Sequence, residues 1–110
     1  MWRADEEVAV VLCTVPSQEV GASLGRQLVE RRLAACVNVV DGLRSIYRWQ
    51  GEVHDEPEAL MIIKTRRDVL ADLEQWLREA HPYEVPEIVA LPLVGGSGPY
   101  LQWVLEQTAR

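Results

Sequence analysis

At 110 residues with a formal net charge of −6 at pH 7, the chain has the size of one domain and buries only about 60–65% of the surface its unfolded form exposes. An apolar share of 48% excludes a disordered tail. The 17 acidic against 11 basic residues argue against nucleic acid and anionic membranes as partners, because polyanion binding relies on Lys and Arg to displace counterions.

From the N-terminus, MWRADEE carries no signal-peptide pattern, and no stretch reaches the roughly 20 apolar residues of a membrane span. The expected setting is cytoplasmic, with Cys13 and Cys36 reduced and behaving as small hydrophobes. VAVVLCTV, from Val8 to Val15, is a short β-branched run suited to a buried central strand. Pro16 and Ser17 end it, and Ser17 can cap a following helix through its hydroxyl. Val20, Leu24, Leu28, Val29 and Leu33 then form an apolar helical stripe. Gly21 and Gly25 cost that helix about 1 kcal/mol each, which close packing on a sheet explains.

Ala35 to Val40 is a second strand. Asp41-Gly42 interrupts it as a turn or a bulge, extended structure resumes to Trp49, and Gln50-Gly51 forms a hairpin tip. The return arm is polar from Glu52 to Glu58 and apolar from Ala59 to Thr65, and Pro57 belongs at an edge, a bulge or a strand start. Thr65 or Asp68 is expected to cap a second helix whose apolar face holds Val69, Leu70, Leu73, Trp76, Leu77 and Ala80. His81-Pro82 ends it. Glu87 to Leu93 is the last strand, Gly95 to Gly98 reads as a flexible turn, and Pro99 opens a short closing helix.

This order predicts an α+β sandwich: a ferredoxin-like β-α-β-β-α-β arrangement over residues 1–110, with a long hairpin between its second and third strands and a short C-terminal helix. Each hairpin arm is roughly 14 residues, close to 45 Å at ~3.3 Å per residue. That exceeds what a domain of this size covers, and exposed strand edges invite association. A closed symmetric oligomer solves both problems.

The runs LCTVPS, LVERRLAACVNVV, SIYRWQGEV, IIKTR, HPYEVPEIVALP and YLQWV together resemble the CutA divalent-cation tolerance family across nearly the whole chain. The resemblance implies a cytoplasmic homotrimer linked to tolerance of copper and other divalent cations, an architecture shared with trimeric signal-transduction proteins, and a response to metal ions without defined catalysis. It also implies copper ligands at the Cys of the LCT run and at two consecutive His before Pro-Tyr. Here Cys13 and His81 match, but the position before His81 is Ala80.

Cys13, His81 and the nearby carboxylate of Glu87 are therefore the candidate metal ligands, soft thiolate and imidazole suiting copper. Two donors leave half of a tetrahedral shell open, so binding is expected to be weak. Tyr47, Trp49, Lys64, Tyr83 and Glu87 are candidates for an intersubunit cleft, where one cation, one carboxylate and aromatic walls suit a small anionic or amphipathic ligand. The alternative to metal binding is a signalling or scaffold trimer that takes a metabolite or an unidentified partner protein at such clefts. No Walker, HExxH, GxSxG or Cys-x-x-Cys motif is present. No enzyme activity and no organic cofactor are expected.

Overall fold

The computed structural model describes residues 1–110. Its elements run β1 (Trp2–Ala4), β2 (Val8–Val15), α1 (Gln18–Glu30), β3 (Cys36–Trp49), β4 (Glu52–Arg66), a 3₁₀ turn (Arg67–Val69), α2 (Leu70–Ala80), β5 (Ile88–Pro92), β6 (Gly95–Ser97) and α3 (Gly98–Gln107). The main sheet has the order β3-β4-β2-β5, antiparallel throughout. With α1 and α2 on one face, this is the ferredoxin-like α+β fold that the element order predicts.

Strand alternation divides the chain's apolar residues between two faces. Val11, Cys13 and Val15 of β2 and Ala59, Met61 and Ile63 of β4 pack against Leu24, Leu28, Leu73 and Leu77 of the helices, forming the core. The residues between them point the other way. Val10, Leu12 and Thr14 share that second face with Leu60 and Ile62 of β4, Val40 of β3, and Val89 and Leu91 of β5. α3 shields only one end of it, where Val8 joins Leu101, Val104 and Leu105. There the Arg66 guanidinium donates to the Leu105 carbonyl at 2.7 Å and to Thr108 Oγ1 at 3.1 Å. Elsewhere the face is open, and Val40, Val89 and Leu91 remain 44%, 46% and 48% exposed.

Ser17 caps α1, its Oγ accepting the Val20 N–H at 3.2 Å. The two helix glycines permit close packing. A Cβ at Gly21 would stand 2.9 Å from Val39 Cγ1, and one at Gly25 3.0 Å from Val37 Cγ1. Gly21→Leu is therefore expected to lower stability by about 1–3 kcal/mol through overpacking, read as a lower midpoint in urea denaturation.

The hairpin arms of 14 and 15 residues make the molecule 46 Å long. Asp41-Gly42 is a bulge, with the register shifting between Val40 and Leu43 and Gly42 at φ +80. Gln50 and Gly51 turn at positive φ. Pro57 lies within β4, opposite Arg44, where the strand has run past the last β2 pairing at Ala59 and its other edge is free.

Two local expectations fail. Neither Thr65 nor Asp68 caps α2, which has no side-chain cap. Thr65 is buried in β4 and donates its hydroxyl to the Leu33 carbonyl at 2.7 Å, while Asp68 sits in the 3₁₀ turn. The glycine stretch is not a free turn, because Gly95–Ser97 pairs with Trp2–Ala4 as a second, two-stranded sheet. A Cβ at Gly95 would lie 2.3 Å from the Arg3 carbonyl oxygen, so only glycine admits this approach.

Candidate functional site

At the end of the open face away from α3, three segments converge on Thr14. The first is the outer hairpin. Beyond the bulge, Leu43 pairs with Glu58, Ser45 with Glu56, Tyr47 with His54 and Trp49 with Glu52. Pairing places Ser45, Tyr47 and Trp49 on the same side as Glu58. The second is the end of β2. The third is the chain after α2, turned out of helical geometry at His81 (φ −72, ψ 140) ahead of Pro82.

His81 is buried and joins the second and third segments. Its Nε2 donates to the Thr14 carbonyl at 2.8 Å, and its Nδ1 accepts the Tyr83 N–H at 3.1 Å. These partners require the tautomer with hydrogen on Nε2. The ring packs at 4.8 Å from that of Tyr83. The Tyr83 hydroxyl in turn donates to Glu58 Oε2 at 2.6 Å. Burial, then that bond and the Glu58 charge, push the Tyr83 phenol well above its ordinary range. Tyr47 is pushed up as well, first by desolvation and then by Glu56. It stacks on His54 at 5.2 Å, and its hydroxyl reaches Glu56 Oε2 at 3.4 Å.

The space between these segments is a cleft of about 670 Å³ lined by 11 residues. Tyr47, Trp49 and Tyr83 supply aromatic surface, and Glu58, Glu84 and Glu87 supply carboxylates. The lining contains no Lys or Arg. Four of the five cleft candidates, Tyr47, Trp49, Tyr83 and Glu87, thus come together within the one chain. Lys64 does not join them: it pairs with Cys36 farther along β4 and donates to Asn38 Oδ1. The lining is consequently acidic, and the cation expected among the cleft residues is absent from it.

Of the metal candidates, Cys13 and His81 meet at one backbone carbonyl, whereas Glu87 lines the cleft. Cys13 and His81 both address the Thr14 carbonyl, the thiol from 3.7 Å. Glu87 precedes Ile88, the β5 partner of Cys13. Their chemistry, however, is not that of a prepared metal centre. Cys13 is fully buried. Burial, with the Glu87 and Glu58 carboxylates adding to it, pushes its thiol up to about 12, whereas the thiolate is the metal ligand. Both His81 nitrogens hold protein hydrogen bonds. Nowhere do three or more His, Cys, Asp or Glu side chains cluster as a metal site. Cys36 is free and lies on a strand separated from that of Cys13 by β4.

Sequence reasoning missed Glu58, Thr14, Ser45 and Glu84. A signal existed for Glu58, a carboxylate abutting the apolar run Ala59 to Thr65. Its burial at 8% exposure is what singles it out.

Residues 9–107 match the family model described as CutA1 divalent ion tolerance protein. The divalent-cation tolerance protein CutA of Thermus thermophilus is 54% identical over 99 residues, covering 90% of this chain and 96% of that protein. Human protein CutA is 44% identical over 101 residues, covering 92% of this chain but 56% of the human protein. The chain thus spans nearly all of the Thermus relative and about half of the human one. Among solved structures, the divalent cation tolerance protein of Thermus thermophilus superposes with a TM-score of 0.90 at 52% identity, covering 93% of this chain and 99% of that one. CutA of Synechococcus elongatus superposes with a TM-score of 0.94 at 33% identity, covering 99% and 96%. Other relatives are described as chloroplastic, in Arabidopsis thaliana, and periplasmic, in Archaeoglobus fulgidus. No helix of this chain is long and apolar enough to cross a membrane. The family match over nine-tenths of its length places this chain in the CutA1 divalent ion tolerance protein family.

Proposed function

We propose that this chain is the single-domain subunit of a cytoplasmic homotrimer that serves divalent-cation tolerance without catalysis. The observation carrying this reading is the open sheet face, where Val40, Val89 and Leu91 stand about half exposed beside Leu12, Leu60 and Ile62. An apolar sheet face of this extent calls for a covering layer, and the chain offers only α3 at one end. Sister copies supply the rest, joined along a face whose far end carries the acidic cleft. The number three comes from the family resemblance. Sedimentation velocity at micromolar concentration tests it, and a sharp monomer would overturn it.

Metal engagement in this reading is weak and passes through Cys13, His81 and Glu87, with copper the ion best matched to the thiolate and imidazole. What favours the triad is the convergence of Cys13 and His81 on one carbonyl oxygen. Occupation requires His81 to give up a hydrogen bond and Cys13 to lose a proton. Calorimetric titration with copper is expected to give weak binding that falls at least about tenfold in Cys13→Ala and in His81→Ala, equivalent to ~1.4 kcal/mol. Unchanged affinity in both would remove these ligands.

The second reading is a signalling or scaffold trimer in which the cleft takes a small molecule or a partner protein and metal tolerance follows indirectly. The cleft itself supports it, being within the 300–1,000 Å³ typical of ligand pockets. A thermal-shift screen separates the readings, since a ligand bound only by the native state raises its apparent stability.

A further inference from the structure

We propose that the cleft beside Thr14 binds a compact organic ammonium ion, with Glu58 as its counter-charge and Tyr47, Trp49 and Tyr83 as its walls. Glu58 is more than nine-tenths buried, yet only one of its carboxylate oxygens has a protein partner, Oε2, which accepts from Tyr83. No fully enclosed side-chain oxygen in the molecule lacks a partner. The second oxygen, Oε1, therefore stays accessible, and Glu58 lines the cleft. That oxygen is free to accept from a ligand. No Lys or Arg lines the cleft to neutralise it.

The kind of cation that suits the cleft follows from the remaining geometry. An inorganic divalent ion needs several oxygen or nitrogen donors around one point, and no such cluster exists here. A larger, weakly hydrated organic cation needs one carboxylate and the faces of aromatic rings within about 6 Å. The cleft of about 670 Å³ has these kinds of group in its lining, Tyr47, Trp49 and Tyr83 beside the buried Glu58. The Tyr83 hydroxyl stays a phenol because burial and Glu58 push it upward, so Tyr83 adds no competing charge. Glu84 and Glu87 in the lining reinforce the negative potential.

This inference deepens the second reading of the cleft and rests on it, but the binding elements all belong to one subunit. The test is titration of the assembled protein with tetramethylammonium chloride, followed by Trp fluorescence and by NMR, against sodium chloride at equal ionic strength. Saturable binding is expected at millimolar or lower concentration, weakened about tenfold or more in Glu58→Gln and in Trp49→Leu. Glu58→Gln keeps an oxygen to accept from Tyr83, and Trp49 is 43% exposed, so both variants should fold. Absence of saturation, or saturation that Glu58→Gln and Trp49→Leu leave unchanged, would overturn the proposal. So would a cleft response to copper or zinc chloride that tetramethylammonium does not reproduce. Sedimentation of the same samples reads the assembly separately, so an intact trimer without ammonium binding defeats this inference alone.

Discussion

Val89→Glu combined with Leu91→Glu is expected to dissolve the assembly into folded 12.4 kDa monomers. In the isolated chain both side chains point off the open face of β5 at 46% and 48% exposure, so charges there remain hydrated and the helix-side core is untouched. In the proposed trimer the same positions would meet a sister chain, and two unpaired carboxylates would be desolvated at each seam. The cost is several kcal/mol per seam. About 4 kcal/mol already raises a dissociation constant a thousandfold. Sedimentation velocity at micromolar concentration reads the change directly, with circular dichroism confirming the retained fold. A double variant that still sediments with the wild type would mean that copies meet elsewhere, along the free edge of β3 for example.

The open face also shows how far the linear pattern reaches. Continuous apolar runs such as Val8 to Val15 and Ala59 to Thr65 announce strands buried on both faces. One of those faces is covered within the chain only at its α3 end, and hairpin length was the feature of the sequence that pointed to a further cover. Capping at Ser17, the bulge at Asp41-Gly42 and the tip at Gln50-Gly51 were legible because each rests on local backbone chemistry. The β1–β6 sheet was not, because three-residue strands carry no period and the pairing joins positions about 90 residues apart.

Legibility of the site divides in the same way. Tyr47, Trp49, Tyr83 and Glu87 stood in recognisable segments and do line the cleft. Lys64 stood in one too, yet it is six positions along β4 from Glu58, about 20 Å at strand rise, and faces Asn38 instead. Glu58 was missed because its hydrogen-bond partner, Tyr83, lies 25 residues away and its aromatic neighbours depend on the bulge. One register shift at Gly42 decides that Glu58 faces Leu43 and shares a side with Tyr47, and no periodicity in the sequence shows which way that shift turns. Cys13 and His81 were identified by type, but their hydrogen bonds to Thr14, which restrain them as ligands, are visible only in three dimensions.

Cys13 leads to the second large effect, a loss of stability in alkali. Its thiol ordinarily titrates at 9.0 and is pushed up to about 12 in the folded chain, first by burial and then by Glu87 and Glu58. Below pH 9 the folded and unfolded chains both keep the proton, and the contribution is intact. Between pH 9 and 12 the unfolded chain releases a proton that the folded chain retains, so stability falls as pH rises through that window. The full loss is on the order of 4 kcal/mol. Tyr83 acts in the same sense, since burial and Glu58 raise its phenol too, so the wild-type curve holds both contributions. Cys13→Val removes the titrating thiol while keeping an apolar side chain in the core, and its urea-denaturation free energy should decline more slowly between pH 9 and 11 than that of the wild type. Equal slopes in the two proteins would show that the thiol is not held protonated by its surroundings. The same displacement governs metal chemistry, because only about one Cys13 in 10⁵ is a thiolate at pH 7 when the thiol titrates near 12. Copper affinity at this position should therefore climb about tenfold per pH unit.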